Sequence, residues 1–114
     1  ELLDALTARA VQEMGGFKAQ EASSLLWSFA KLGAPPSLEL LDAFAQRARA
    51  QMEHFNPQDV SVALWSLAKL GEAPPPELVE ALQGRALEVV GGLSPQGVSN
   101  VLWALATISG GGGG

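Results

Sequence analysis

Tryptophan, glutamine and lysine side chains recur along the chain at a fixed spacing, and they offer the chemical groups that hold single-stranded nucleic acid. Trp27, Trp65 and Trp103 are separated by 38 residues in each case (27 to 65 and 65 to 103). An indole face can stack on a base, an amide can read a base edge, and an ammonium group can pair with a phosphate. Such groups act together only if the fold arranges them in a row.

The candidate residues share one side of a predicted helix in each 38-residue unit. At 100° per residue, Gln58, Val62, Trp65 and Lys69 lie within about 60° of one another. The equivalent residues are Gln20, Ser24, Trp27 and Lys31 upstream, and Gln96, Asn100, Trp103 and Thr107 downstream. The position held by serine, valine or asparagine differs between units, so base discrimination is expected there. We call these residues the polar-aromatic stripe.

Each member of the stripe also has a purely structural interpretation. A tryptophan that recurs in every unit is typical of packing between units. A glutamine near a helix start can satisfy backbone groups, and a lysine near a helix end complements the helix dipole. A second recurring set is Arg9, Arg47 and Arg85. These arginines could contact phosphates in a row, or they could form salt bridges to acids of a neighbouring helix.

The elements that must position these groups are two helices per unit. Repeat one spans 1–33 without its first five residues, repeat two spans 34–71, repeat three spans 72–109, and 110–114 is read as a glycine tail or linker. Proline pairs open the first helix, and Asn56-Pro57 or Ser94-Pro95 opens the second. Gly33 and Gly71 are expected to end the second helix, whereas Lys18 is a poor cap. A helix pair of this size cannot bury its own apolar surface, so the pattern predicts an all-α, right-handed α-solenoid of helix-turn-helix repeats.

Composition excludes several classes of protein. The chain has 114 residues, 47% of them hydrophobic, and no cysteine, so disulfides, thiolate metal sites and cysteine nucleophiles are absent. The apolar runs are too short to cross a membrane. The net charge of −5 argues against nonspecific nucleic-acid binding, but half of the acids stand at predicted first-helix starts, where the dipole favours them. Those acids are Glu1, Asp4, Glu39, Asp42, Glu77 and Glu80.

No catalytic group is predicted. His54 is the one histidine, stands in a predicted loop and is expected to be exposed to solvent. The glycines precede no Lys-Ser or Lys-Thr pair, and no nucleophile pairs with a base. We therefore expect no enzyme activity, no cofactor, no metal and no small-molecule substrate. Neither end carries a polar capping repeat, and the chain begins without methionine, which indicates an excerpt of a longer protein.

The segments 25–33 (LLWSFAKLG) and 63–71 (ALWSLAKLG) resemble octotricopeptide repeats, as do the period of 38 and the proline-rich openings. The segment 55–60 (FNPQDV) is similar to the leucine-rich repeats of FAST-kinase-like and RAP-domain proteins. Repeat three departs from the pattern, because Thr107 replaces the lysine and Ser109 the glycine. This resemblance implies an RNA-binding protein of the mitochondrial matrix or the chloroplast stroma, acting in RNA processing, stability or translation.

The leading hypothesis is thus an RNA-binding repeat segment whose partner is single-stranded organellar RNA, together with other proteins of a ribonucleoprotein complex. The alternative is an α-solenoid scaffold for protein–protein interaction, which the acidic balance would suit.

Overall fold

The computed structural model describes residues 1–71 and 74–113, and within these ranges it contains helices and turns but no strand. The six α-helices are α1 (Leu2–Glu13), α2 (Ala19–Leu32), α3 (Leu38–Ala50), α4 (Pro57–Leu70), α5 (Pro76–Glu88) and α6 (Pro95–Gly113). The predicted all-helical class is confirmed. Single 3₁₀ turns at Met14–Gly16, Met52–His54 and Val90–Gly92 occupy what the sequence predicts as plain loops between paired helices.

The starts of the second helices follow from their capping residues. At α4, the Asn56 side chain accepts a hydrogen bond from the backbone N–H of Asp59 at 2.7 Å, and the Asp59 carboxylate accepts one from the backbone N–H of Asn56 at 3.2 Å. This reciprocal pair satisfies two backbone donors that the helix leaves free. At α2, only one of these two bonds forms: the backbone N–H of Lys18 donates to the Glu21 carboxylate at 3.0 Å. The weak cap predicted at Lys18 therefore still starts a helix.

The ends of the second helices depend on glycine. Gly33 and Gly71 adopt left-handed conformations with φ of 69° and 75°, which residues with a side chain rarely adopt, and both end their helices as predicted. Repeat three has Ser109 at this position, and α6 continues through Gly113. The helix continues here because no left-handed glycine stops it, and the interpretation of 110–114 as a glycine tail or linker stays a prediction. The predicted first residue of repeat three, Glu72, and the last residue of the tail, Gly114, lie outside the described residues.

The helices pack in two layers. Helix α4 lies between α2 and α6, and helix α3 lies between α1 and α5. The layers meet where α2 contacts α3 and where α4 contacts α5. Each second helix is thus neighbour to the second helix of the next repeat. Equivalent positions of adjacent repeats can therefore come together on one surface.

The hydrophobic core runs between the layers along the whole array. On α3, the face predicted from helical spacing is buried, with Met52 after it half-buried. On α4, the predicted core residues Ala63, Leu64, Leu67 and Ala68 are also buried, and Leu70 is half-buried. The buried residues of α3 are Leu40, Leu41, Phe44, Ala45 and Ala48. Burial of one apolar stripe on each helix leaves the opposite stripe free to face solvent.

Candidate nucleic-acid interface

The polar-aromatic stripe lies on the solvent side of the second-helix layer. Most of its members are exposed, and the half-buried ones belong to α4 and α6, which lie against each other. The exposed members are Gln20, Ser24, Trp27, Lys31, Gln58, Lys69, Gln96 and Trp103, and the half-buried members are Val62, Trp65, Asn100 and Thr107. Because α2, α4 and α6 are neighbours, these side chains form one surface that crosses three helices.

The indole rings of the stripe make two contacts with other stripe residues. The rings of Trp65 and Trp103 lie 6.4 Å apart between centroids at an angle of 39°, within the range of favourable aromatic pairs. The ammonium group of Lys31 lies 5.6 Å from the centroid of the Trp27 ring, close enough for a cation–π interaction. The tryptophans therefore have structural roles between and within repeats, and Trp27 and Trp103 still expose part of each ring to solvent.

An open groove of about 540 Å³ separates the first halves of α4 and α6. Four stripe residues line it: Gln58 and Val62 from α4, and Gln96 and Asn100 from α6. The amide groups of Gln58, Gln96 and Asn100 therefore line the same groove. None of the lining side chains carries a charge, so the groove offers hydrogen-bonding and apolar contacts rather than a charge pair.

Sequence reasoning missed part of this groove. Ser61 of α4 and the segment 92–94 before α6 also line it, together with Gly97. Gly97 occupies the helix position that is Asp59 in α4 and Glu21 in α2, so repeat three has no carboxylate there. The sequence signal was this change of residue type at a capping position, which removes the side chain that would otherwise stand beside Gln96.

Charge is divided unevenly between the two layers. The second-helix layer carries Lys31 and Lys69 near the ends of α2 and α4, the exposed Glu21 and the buried Asp59, and α6 carries no charged residue. The helices of the other layer carry the acids Asp4, Glu13, Glu39, Asp42, Glu77, Glu80 and Glu88. With the four arginines of the same helices these seven acids sum to −3 (4 − 7), whereas the two lysines and two acids of α2 and α4 cancel. The face that holds the stripe is not acidic.

The environment of the Asp59 carboxyl at the start of α4 shifts its pKa. Burial raises its pKa above the usual 3.8, and the hydrogen bond from the backbone of Asn56 lowers it by a smaller amount. The Asp59 backbone carbonyl also accepts a hydrogen bond from the buried hydroxyl of Ser23 in α2, at 3.2 Å. The start of α4 is thus fixed against α2, which positions Gln58 at the groove.

Two of the recurring arginines bond to backbone carbonyls, a contact that neither the salt-bridge nor the phosphate interpretation predicts. Contact of the recurring arginines with phosphates stays a prediction. Arg47 donates from Nε to the backbone carbonyl of Phe17 at 2.7 Å, and Arg85 donates from Nε to that of Phe55 at 2.8 Å. In both cases the acceptor belongs to the preceding repeat. The side chain of Arg9, in repeat one, pairs with Glu13 on its own helix at 3.1 Å. Arg47 and Arg85 therefore join repeats.

The residues of the described ranges show no group of histidine, cysteine, aspartate or glutamate that could hold a metal ion. His54 is exposed, as expected, with Nε2 at 3.7 Å from the neighbouring Glu53 carboxylate. Within the same ranges, no helix has both the length and the hydropathy needed to cross a bilayer.

A comparison with protein families decides the affiliation of the chain. The model of the family RESC6, RNA-editing substrate-binding complex 6 protein, matches residues 1–110. The chain belongs to this family. Membership of RESC6 places it among RNA-processing proteins. No curated protein sequence matches the chain.

The RESC6 match overturns the resemblance to octotricopeptide and FAST-kinase-like repeats. The residues that carried the resemblance are the ones that any stacked helix pair needs. In segment 63–71, Leu64, Leu67 and Ala68 are core residues, and Gly71 ends the helix. Packing and helix termination therefore account for these residues of the shared motif. Chloroplast localisation has no remaining support.

Proposed function

We propose that this chain is an RNA-binding repeat segment of a mitochondrial RNA-editing complex, and that the polar-aromatic stripe holds single-stranded RNA. The single observation that carries the proposal is the convergence of stripe residues from successive repeats on one non-acidic face. Gln58 and Gln96 line the same groove, and Trp65 packs on Trp103. The name of the RESC6 family, a substrate-binding complex for RNA editing, supports RNA as the ligand.

The proposal assigns a role to each part of the stripe. The amides in the groove between α4 and α6 hydrogen-bond to base edges, while the exposed ring surfaces of Trp27 and Trp103 stack on bases. Lys31 and Lys69 lie near the ends of their helices and contact phosphates. Val62 and Asn100 stand at equivalent positions beside these groups, so they provide the difference in base preference between repeats.

The proposal further holds that the helix pairs continue as a right-handed α-solenoid, so that equivalent residues follow an extended RNA strand. Arginine contacts from one repeat to the preceding one support this arrangement, since they recur at Arg47 and Arg85 with the same acceptor position. The proposed activity is binding, without catalysis, cofactor or small-molecule substrate.

The test is a salt titration of RNA affinity by fluorescence anisotropy with a labelled single-stranded RNA. Two lysine–phosphate contacts predict a slope of log K against log salt of about −1.4, since each contributes about −0.7 on a single strand. The double variant Lys31→Gln/Lys69→Gln should flatten the slope. It should also weaken binding about tenfold at low salt, if each exposed contact contributes about 0.7 kcal/mol.

Arg49→Gln is the matched control, because it removes an exposed positive charge near the end of α3, on the other layer. It should leave both affinity and slope unchanged. The proposal fails if the control weakens RNA binding as much as the lysine variant does, or if the wild-type protein binds RNA with no salt dependence.

A second candidate function is assembly with protein partners through the first-helix layer. The observation that favours it is the clustering of acids at the starts of α3 and α5, where Glu39, Asp42 and Glu77 lie on the layer opposite the stripe. The layer suits a basic partner segment. Carboxylate-selective cross-linking of the assembled complex should join these acids to partner peptides. Cross-links confined to Glu21 on the stripe face would reject this candidate.

A further inference from the structure

Among the described residues, the junction between α4 and α6 lacks a polar contact that the junction between α2 and α4 contains. Between α2 and α4, the buried hydroxyl of Ser23 donates to the backbone carbonyl of Asp59 at 3.2 Å. The equivalent residues one repeat later are Ser61 and Gly97 (23 to 61 and 59 to 97). Ser61 is only 4% exposed, yet within the described ranges its hydroxyl donates to no protein acceptor. A buried hydroxyl without a partner is unfavourable, so this group is available to a ligand.

Ser61 lies at the base of the groove of about 540 Å³ between these helices. Ser61 and Gly97 are buried, whereas the amide-bearing residues Gln58, Gln96 and Asn100 lie nearer to solvent, on both walls. Gly97 stands where α4 has an aspartate and α2 a glutamate, so this position brings no carboxylate to the base of the groove. The groove therefore combines one free hydroxyl at its base with amide groups from two successive repeats.

The lining of the groove suits an uncharged, planar group. None of the lining side chains is charged, so an ion would lose hydration there without gaining a partner of opposite charge. The half-buried side chains of Val62 and Leu93 offer apolar contact to the face of a ring. A volume of about 540 Å³ is within the range of about 300–1,000 Å³ for sites that hold small organic groups. A nucleobase combines these properties with several hydrogen-bonding atoms at its edges.

Among the four bases, adenine matches the groups of the groove best. A side-chain amide presents a donor and an acceptor side by side, which pair with N7 and the N6 amino group of adenine. Guanine is usually read by arginine or lysine, and cytosine by a carboxylate, and the lining of the groove supplies none of these. Uracil carries its polar atoms along one edge. Adenine has two such edges, N6 with N7 and N6 with N1, so amides from both walls can bind it together.

We propose that the groove between α4 and α6 holds one adenine base of the bound RNA. Gln58 and Asn100 bind its two polar edges from opposite walls, and the Ser61 hydroxyl adds a third hydrogen bond at the base of the groove. This role of the groove rests on the proposed RNA-binding function and adds the identity of one base. At the junction between α2 and α4, Val62 takes the place of Asn100 and the equivalent serine is already bonded. The preference for adenine therefore belongs to the junction between α4 and α6.

Fluorescence anisotropy with four labelled single-stranded RNAs tests this preference. Each RNA is a tract of uridines whose central nucleotide is A, C, G or U. At one low salt concentration, the RNA with the central adenosine should bind about five- to 150-fold more tightly than the other three, which is the discrimination of a bidentate amide contact. Equal binding of the four RNAs, or tighter binding of any other, would overturn the adenine preference while leaving the proposed RNA binding in place. Absence of binding by all four would overturn both.

Three variants locate the preference in the groove. Gln58→Met and Asn100→Leu nearly preserve side-chain size and remove the amide, so each should lose most of the preference for adenosine. Ser61→Ala should weaken binding of the adenosine RNA about two- to tenfold, since it removes one neutral hydrogen bond. Gln46→Met is the matched control, because Gln46 is an exposed glutamine of α3 on the other layer, and it should keep the full preference. A preference that survives in both amide variants, with helix content unchanged by circular dichroism, would overturn the assignment to this groove.

Discussion

Arg9, Arg47 and Arg85 stand at equivalent positions, and only the last two bond to the preceding repeat. Substituting each in turn therefore compares the stability gained from a contact between repeats with that gained from an exposed charge. Arg85 donates from Nε to Phe55 at 2.8 Å and from Nη2 to the Glu53 carbonyl at 2.9 Å. Hydrogen bonds from a charged donor contribute about 1.5–3 kcal/mol each. The two bonds share one guanidinium group, so their contributions do not simply add, and Arg85→Ala should lower the free energy of unfolding by about 2–4 kcal/mol. Arg47→Ala removes one such bond and should cost about 1.5–3 kcal/mol.

Arg9→Ala provides the internal control, because it removes only the exposed ion pair with Glu13, one turn further along the same helix. Such a pair contributes about 0.3–0.5 kcal/mol to the free energy of unfolding. Urea unfolding of dilute protein, followed by circular dichroism, measures all three. Arg85→Lys keeps the charge but loses the forked donor geometry, so it should lose most of what Arg85→Ala loses. Equal losses at the three arginines, or full retention of stability in Arg85→Lys, would refute the account of these residues as contacts between repeats.

Two further predictions concern the start of the second helices. A methyl group on Gly92 would lie 2.8 Å from the Pro57 ring. Gly92→Ala should therefore lower the midpoint of thermal unfolding and reduce the free energy of unfolding by about 1–3 kcal/mol. Gly16→Ala is the control and should leave both unchanged, because the space around Gly16 is open. Burial raises the pKa of Asp59, so between pH 3.8 and that raised pKa the folded state binds more protons than the unfolded state, and stability falls as pH rises. Urea unfolding at several pH values should show that Asp59→Asn removes this fall in stability. Glu21→Gln, at the equivalent but exposed position of α2, should leave the fall in place. A wild-type protein whose stability rises over that pH range would contradict the assignment.

The sequence predicts much of this fold because its local signals agree with one another. The 38-residue spacing of tryptophan, the Asn56-Pro57 opening and the glycines at 33 and 71 define the second helices almost to the residue. Helical spacing of apolar residues also predicts the core. Where the terminating glycine is missing, the end of the helix does not follow from the sequence: Ser109 stands at that position, and α6 continues through Gly113.

The placement of the stripe residues on the surface follows in part from the sequence, while their role in binding stays a prediction. An angular projection places Gln58 and Val62 on the solvent side of α4, and the spacing brings their equivalents beside them. The partners of Arg47 and Arg85 were not predictable, because each is a backbone carbonyl presented by a loop conformation that side-chain types do not specify. Family resemblance also misled, since packing and helix termination account for residues of the shared motif.

The most direct test of the central claim is an NMR titration of the isotopically labelled chain with single-stranded RNA, following backbone amides and the indole N–H signals. The account predicts that shifts concentrate on α2, α4 and α6, at the amides of Gln58 and Gln96 and at the indoles of Trp27 and Trp103. Shifts confined to α1, α3 and α5, or no shifts at any RNA concentration of the titration, would contradict the account.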